Sequence, residues 1–287
     1  MMRSMIVGIF AVLSLSAQAA VMETRIAGVD APAGEKKVMI LAETEGRVLW
    51  VNATEKVLVK AFSIAAESAA VLKVTYNVDS GMVESAQTLS KTLEESAPAL
   101  NEQKVDEYYP TVFRSRQEAQ TYFNTMDNQT KDDSQCYNRA HGWAYDLFNQ
   151  YRINSLKIFL FFTRRYIREY DYKWWFHVSP MTLVGDRGYN TEYVIDRSFT
   201  QGPVEVQAWT NIFMKNRVQC PQVRFYSQYS QNQEAQYCYV MKTIMYYSTP
   251  RDLEWLETRN RYETDWNMEE LRTGRRQAFI NWQRYNP

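Results

Sequence analysis

Histidine is nearly absent from this chain: there are two in 287 residues, His141 and His177. Cysteine is scarce and odd in number, as Cys136, Cys220 and Cys238. Two histidines and no Cys/His cluster cannot build a common zinc site, which leaves only carboxylate sites of the kind that bind calcium; no metal site is visible and no cofactor is expected. No Walker or dinucleotide glycine pattern occurs, which removes the usual phosphate cradles. Neither sign of charge is in excess, with Lys+Arg 33 against Asp+Glu 33. Nucleic-acid binders usually carry a basic excess or stripe, and no nucleic-acid partner is expected. Long apolar runs are missing as well. A spanning helix needs roughly 20 apolar residues, whereas the runs here are Met5 to Leu15 and the shorter Lys157 to Phe162. No stable membrane insertion is expected.

The first apolar run has another reading. Arg3 supplies a positive n-region, Met5 to Leu15 a short h-region, and Ala17-Gln18-Ala19 a small-residue cleavage site. Residues 1–19 therefore read as a signal peptide, and the mature chain, secreted or periplasmic, begins near Ala20. Exported proteins meet an oxidising compartment, so their cysteines are disulfide candidates first. Cys220 and Cys238 lie close in sequence and form the expected pair. Cys136 is left over, as an intermolecular partner, a buried inert thiol or a reactive one.

Composition divides the chain near residue 100. Between Ala20 and Leu100 there is one Trp (Trp50), one Tyr (Tyr76), one Phe (Phe62), and no Cys or His. The expected organisation is a small α+β domain over residues 20–105 and a second domain over 106–287. In the first, Lys37 to Thr44, Arg47 to Asn52 and Lys56 to Phe62 read as strands, with Val71 to Val78 as another, and Glu84 to Ser96 as a polar helix ended by Pro98. In the second, Ser115-x-x-Glu118 is a capping box opening a helix. Another helix runs from about Ser134 to Tyr151, with Cys136, Ala140, Trp143, Ala144, Leu147 and Tyr151 at helical period. Trp174 to Val184 and Tyr193 to Asp196 read as a strand hairpin across Gly185–Gly188. Helices are expected from Thr249-Pro250 and from Asn267, and Gln219 to Tyr239 as loop and strand.

Cys136 falls at a helix start, where unpaired amides and the helix dipole favour a thiolate and can hold an oxyanion. The same position suits a small core residue. His141 lies five residues along the same helix, about 140° around the axis, so the two side chains diverge. His177 is then the only plausible base. Strand alternation puts it on the face opposite Trp174, Phe176 and Val178, and its neighbour Trp175 shares its face and is a candidate to line an acyl pocket. Asp196, at the end of the next strand, is placed to orient the imidazole, or simply to cap a turn. Gln129 and Gln135 precede the nucleophile and are read as solvated loop residues rather than oxyanion donors. Arg139 is read as bracing the helix start.

Three local sequences carry a resemblance. Cys136-Tyr137-Asn138-Arg139-Ala140-His141 is similar to the Cys-Tyr-x-Arg-Ala-His segment of bacterial protein-glutaminases. Trp175-Phe176-His177-Val178 resembles their aromatic-His-Val strand. Ile195-Asp196-Arg197-Ser198, followed by Gly202-Pro203-Val204 and Ala208-Trp209, resembles their Ile-Asp-Pro-Ser, Gly-Pro-Val and Ala-Trp run, with Arg197 standing where the family has proline.

The resemblance implies a secreted enzyme that converts glutamine side chains of proteins and peptides to glutamate and ammonia. It implies an α+β architecture, in which a transglutaminase-like catalytic domain sets a Cys-bearing helix on an antiparallel sheet bearing His and Asp, preceded by a small pro-domain. Cys136 is then the nucleophile, His177 the base and Asp196 the orienting acid, and the N-terminal domain is an intramolecular inhibitor. The alternatives on the same three residues are a transglutaminase and a cysteine peptidase. A non-catalytic binding protein has no need of all three.

Overall fold

The computed structural model describes residues 19–89, 108–127, 135–186 and 188–258. The expected signal peptide up to residue 18, the boundary near Pro98, the loop residues Gln129 and Ser134, and the helix from Asn267 lie outside the described residues.

The N-terminal part comprises β1 (Ala19–Thr24), β2 (Ile26–Asp30), β3 (Lys37–Ala42), β4 (Val48–Asn52), α1 (Lys56–Ser68), β5 (Leu72–Asn77) and β6 (Val83–Thr88). These make two three-stranded sheets, β1-β5-β6 and β2-β3-β4. Strand β3 alternates between two cores. Val38, Ile40 and Ala42 join Leu49, Val51, Phe62 and Val74 in a small core of their own. Met39 and Leu41, with Val48 of β4, belong instead to the large core of the rest of the chain. A half-buried strand would show polar residues on one face, and Val-Met-Ile-Leu-Ala has none because both faces are covered.

Two expectations fail here. Lys56 to Phe62 is not a strand but the start of α1. Val57, Leu58 and Val59 look like a β-branched run, yet burial in this element falls on Phe62 and Ala65, a helical spacing that the apolar Val57 and Ile64 on the exposed side disguise. Glu84 to Ser96 is not a helix from its start, because Val83–Thr88 is the edge strand β6. Its polar residues reflect an edge position with little to cover it.

The remainder comprises β7 (Val112–Phe113), α2 (Arg116–Thr125), α3 (Cys136–Tyr151), β8 (Leu156–Phe162), α4 (Arg164–Tyr170), β9 (Phe176–Asp186), β10 (Tyr189–Val194), β11 (Val204–Glu205), α5 (Val206–Phe213), β12 (Gln222–Val223), α6 (Tyr226–Gln231), β13 (Cys238–Ile244) and α7 (Pro250–Thr258). Seven strands form one sheet in the order β11-β10-β9-β8-β13-β12, with β7 paired to β9. The Ser115 hydroxyl accepts from Glu118 N, as the capping box requires. The β9–β10 hairpin forms antiparallel with Met181 opposite Val194. The stretch read only as loop and strand contains α6, and Cys220 is disulfide-bonded to Cys238 at the head of β13. Among the described residues no helix is long and apolar enough to cross a membrane.

Candidate active site

The middle of the sheet is apolar to the point that β8 is buried almost throughout, and it sets the register of the strand beside it. Leu160 of β8 lies opposite His177 of β9. The hairpin β9–β10 then returns the chain so that Ile195 N bonds Pro180 O, which leaves the next residue, Asp196, beside the start of β9. The expected pairing follows: His177 Nε2 is 2.7 Å from Asp196 Oδ2. Cys136 is the first residue of α3 and hydrogen-bonds to the His177 side chain. With Nε2 committed to Asp196, the other ring nitrogen is the one left for the thiol. Three residues read from the sequence as one constellation are thus brought together, all of them buried.

The electrostatics follow from that burial. Desolvation alone would pull the His177 pKa down, but the Asp196 carboxylate, its hydrogen bond and Cys136 outweigh it and push the imidazole up to about 9. Burial pushes the Asp196 carboxyl up, and His177, the Trp209 indole and the Arg139 cation hold it below its ordinary value. Imidazolium and carboxylate are the favoured forms at neutral pH.

Other groups around the trio were not visible as such in the sequence. Trp209 Nε1 donates to the same Asp196 Oδ2, at 2.9 Å, and Ser198 N donates to Oδ1 at 3.2 Å. The only hint was the Ala208-Trp209 pair downstream of Asp196. Phe213, Phe199 and Trp209 surround the imidazole, with ring centroids 4.6, 5.0 and 5.6 Å from it. Gln135 is buried at the helix cap, not solvated, and makes no side-chain cap hydrogen bond. Arg139 is buried too, and its charge acts on Asp196 rather than on the helix start alone.

The loop after Asp196 is clamped by α2. Arg116 donates twice to Pro203 O, and Gln120 Nε2 donates to Gln201 O. Gln120 fills the space beside Gly202, where an added Cβ would meet its Oε1 at 2.1 Å. Arg197 stacks over Phe123 of the same helix at 5.0 Å.

Trp175 does not reach this cleft freely. It is wholly buried and its indole donates to Ala42 O of the N-terminal part. Trp175 N donates to Gly46 O, and Val48 N to Lys173 O, so the turn between β3 and β4 lies along the strand that leads to His177. Gly46 has φ 58°, and a Cβ there would stand 2.9 Å from Phe176 O; both the backbone shape and the close approach require glycine. Farther out, Asp30 is held by Arg164 and Arg168 of α4. Among the described residues no group of three or more His, Cys, Asp or Glu is placed to hold a metal ion.

Residues 111–213, the segment that contains Cys136, His177 and Asp196, match a protein family described as glutaminase. No curated protein matches the chain. A mutant of pro-protein-glutaminase shares the fold, with 14% identity and a TM-score of 0.50 over 79% of this chain and 83% of that one. Pro-protein-glutaminase itself aligns over the same shares at a TM-score of 0.49, and protein-glutaminase from Chryseobacterium proteolyticum aligns over 36% of this chain and 65% of its own, with 20% identity and a TM-score of 0.29. The similarity to a glutaminase family thus falls on the segment that carries the trio, about a third of the chain.

Proposed function

We propose that this protein is an exported hydrolase that deamidates glutamine side chains in proteins and peptides, with Cys136 as nucleophile, His177 as base and acid, and Asp196 as the orienting carboxylate. The observation that carries the reading is the buried His177, bonded to Asp196 on one side and to Cys136 on the other. Cys136 Sγ attacks the side-chain amide carbon, His177 protonates the departing ammonia, and a γ-glutamyl thioester forms. Water deprotonated by His177 then releases glutamate and restores the thiol. The amides at the start of α3 and the buried Gln135 side chain are the donors at hand for the oxyanion.

Residues 20–105 act as an inhibitory pro-region and 106–287 as the catalytic domain. The backbone pairing of Gly46 and Val48 along Lys173–Trp175 supports this, since a chain seated there stands between solvent and the strand leading to His177. Trp175 lines the acyl pocket once that cover leaves. The test is a glutamine peptide incubated with trimmed protein and followed for ammonia and product mass. Release of ammonia with the mass of the acid supports the reading. Cross-linked products would replace it with a transglutaminase, and shortened peptides with a peptidase.

A further inference from the structure

The sheet carries a second buried cation that this chemistry does not use. Lys157, on β8, has no solvent exposure. Its Nζ lies 2.8 Å from His141 Nδ1 and also donates to Tyr247 O. Its cross-strand neighbours are Pro180 and Thr243, which carry no charge. Among the described residues the group that balances it is Asp252, which acts on it through charge, while its carboxylate accepts from Ser248 N and Thr249 N at the head of α7. Burial pulls the Lys157 ammonium down to about 7, and Asp252 restores only part of the loss. An ammonium taken out of water without an ion-pair partner is costly, and an apolar side chain of similar length usually fills such a site at no loss of stability. Packing is therefore a poor account of why a lysine is here, and its position suggests another. His141 lies on α3, the helix that begins with Cys136, and β8 is the strand hydrogen-bonded to the one carrying His177. The start of α3 lacks a side-chain cap, and His141 adds a contact to the sheet farther along it.

We propose that Lys157 is a positioning residue of the deamidation site: through His141 it fixes the rotation of α3 and so the placement of Cys136 against His177. This rests on the reading of Cys136 as the nucleophile. The geometry sets the sensitivity. A side-chain atom about 5 Å from a helix axis moves by roughly 1 Å when the helix turns by about 12°, and a displacement of about 1 Å costs on the order of a hundredfold in rate. Lys157 holds α3 between the sheet and the carbonyl of Tyr247, at a point on the helix about 140° around from Cys136, where a contact resists rotation.

The test uses full-length protein, trimmed as for the parent, with Lys157→Met, His141→Leu, the double variant and His141→Asn. Asparagine keeps an acceptor near the position of Nδ1. The expected result is a fall in kcat of about tenfold or more in each of Lys157→Met and His141→Leu with KM within about twofold. The double variant falls no further than the worse single variant, because the two act as one unit, and His141→Asn recovers most of the rate. Unchanged kcat in folded Lys157→Met, or losses that multiply in the double variant, overturns the proposal. If Lys157→Met does not fold, equal kcat in His141→Leu and His141→Asn overturns it. Alkylation of Cys136 by iodoacetamide needs no substrate. A parent that alkylates quickly but releases no ammonia removes the deamidation reading alone, whereas an alkylation rate unaltered in Lys157→Met removes the positioning role.

Discussion

The two parts of the chain use different residues to meet at one surface. Residues 20–100 contain one Trp, one Tyr and one Phe and neither Cys nor His, while the other seven Trp and nineteen Tyr lie beyond. The aromatic part encloses the buried Cys136, His177 and Asp196. The aliphatic part has its own small core and turns the second face of β3 and β4 onto the larger one, through Met39, Leu41 and Val48. The contact is not symmetrical. Much of the specific bonding falls on the backbone of a single turn, Ala42 to Val48, against Lys173 to Trp175. If the N-terminal part is the cover proposed above, its removal should leave the chemistry behind, since its contacts with the larger part lie along the strand that leads to His177.

The sharpest break concerns where the chemistry resides. Cys136→Ala should abolish ammonia release, by at least about a thousandfold, with the circular dichroism of the parent retained. Cys136 should also be the cysteine that native protein yields to alkylation, since Cys220 and Cys238 are paired. Substantial turnover by the alanine variant would move the chemistry elsewhere. Next in size is the cover itself. Proteolysis between about residues 95 and 115 should raise activity by about tenfold or more, because docking of a tethered segment competes at high effective concentration. An intact chain as active as the trimmed one would mean that the N-terminal part stabilises but does not inhibit.

Much of the site was legible because its signals are local and few in kind. With only two histidines, the divergence of His141 from Cys136 followed from helical angles, and the pairing of His177 with Asp196 from strand order. Cys220–Cys238 followed from spacing and compartment. What was hidden depends on distance. The bond from Trp209 to Asp196, the burial of Gln135 and the contact between Lys157 and His141 join elements that only the folded sheet brings together, and Lys157 in the sequence merely marks the edge of an apolar run. The errors in the N-terminal part have a different origin. Helix α1 is short and carries apolar residues on its exposed side, Val57 at 84% exposure among them, so its period was blurred. Edge strand β6 is mostly polar, with Val83 and Ala86 half-buried against the small core. Polarity was mistaken there for helix, when it reported an uncovered edge.

Two stability measurements separate the parts further. Reducing Cys220–Cys238 should destabilise the chain by roughly 3 kcal/mol on the chain-entropy view, in a single transition with β13 and the large core; if only the N-terminal part melts, the assignment of that core is wrong. A smaller effect concerns pH. His177 is raised to about 9, so its stabilising contribution is complete below its unfolded value of about 6.5 and is lost as pH rises toward 9. Lys157 is lowered to about 7, so its ammonium destabilises the fold below that pH, and stability is regained as pH rises from 7 toward the unfolded value of about 10.4. Between pH 7 and 9 the two slopes oppose each other, each about 1.4 kcal/mol per pH unit at most. The parent should therefore change little over that window. His177→Gln should gain stability with rising pH, and Lys157→Met should lose it. Parallel profiles for all three proteins would contradict the assigned shifts.

The smallest expected effect is the most selective for the boundary between the parts. Asp30 is largely covered, at 12% side-chain exposure, whereas its partners Arg164 and Arg168 are about a third exposed, at 31% and 32%. Ion pairs of that exposure contribute up to about 1 kcal/mol and weaken with salt. Asp30→Asn removes the charge while keeping the shape, and it touches neither Cys136 nor the turn at Gly46. If the N-terminal part is a cover in equilibrium between docked and open forms, the substitution should raise the activity of the intact chain by about two- to fivefold, the change in population that such an energy allows. It should leave the trimmed enzyme unaltered. Added salt should activate the parent more than the variant, since salt can screen only a pair that exists. Activity that responds to Asp30→Asn equally before and after trimming would locate the effect in the catalytic part and dissolve the distinction between a cover and the machinery beneath it.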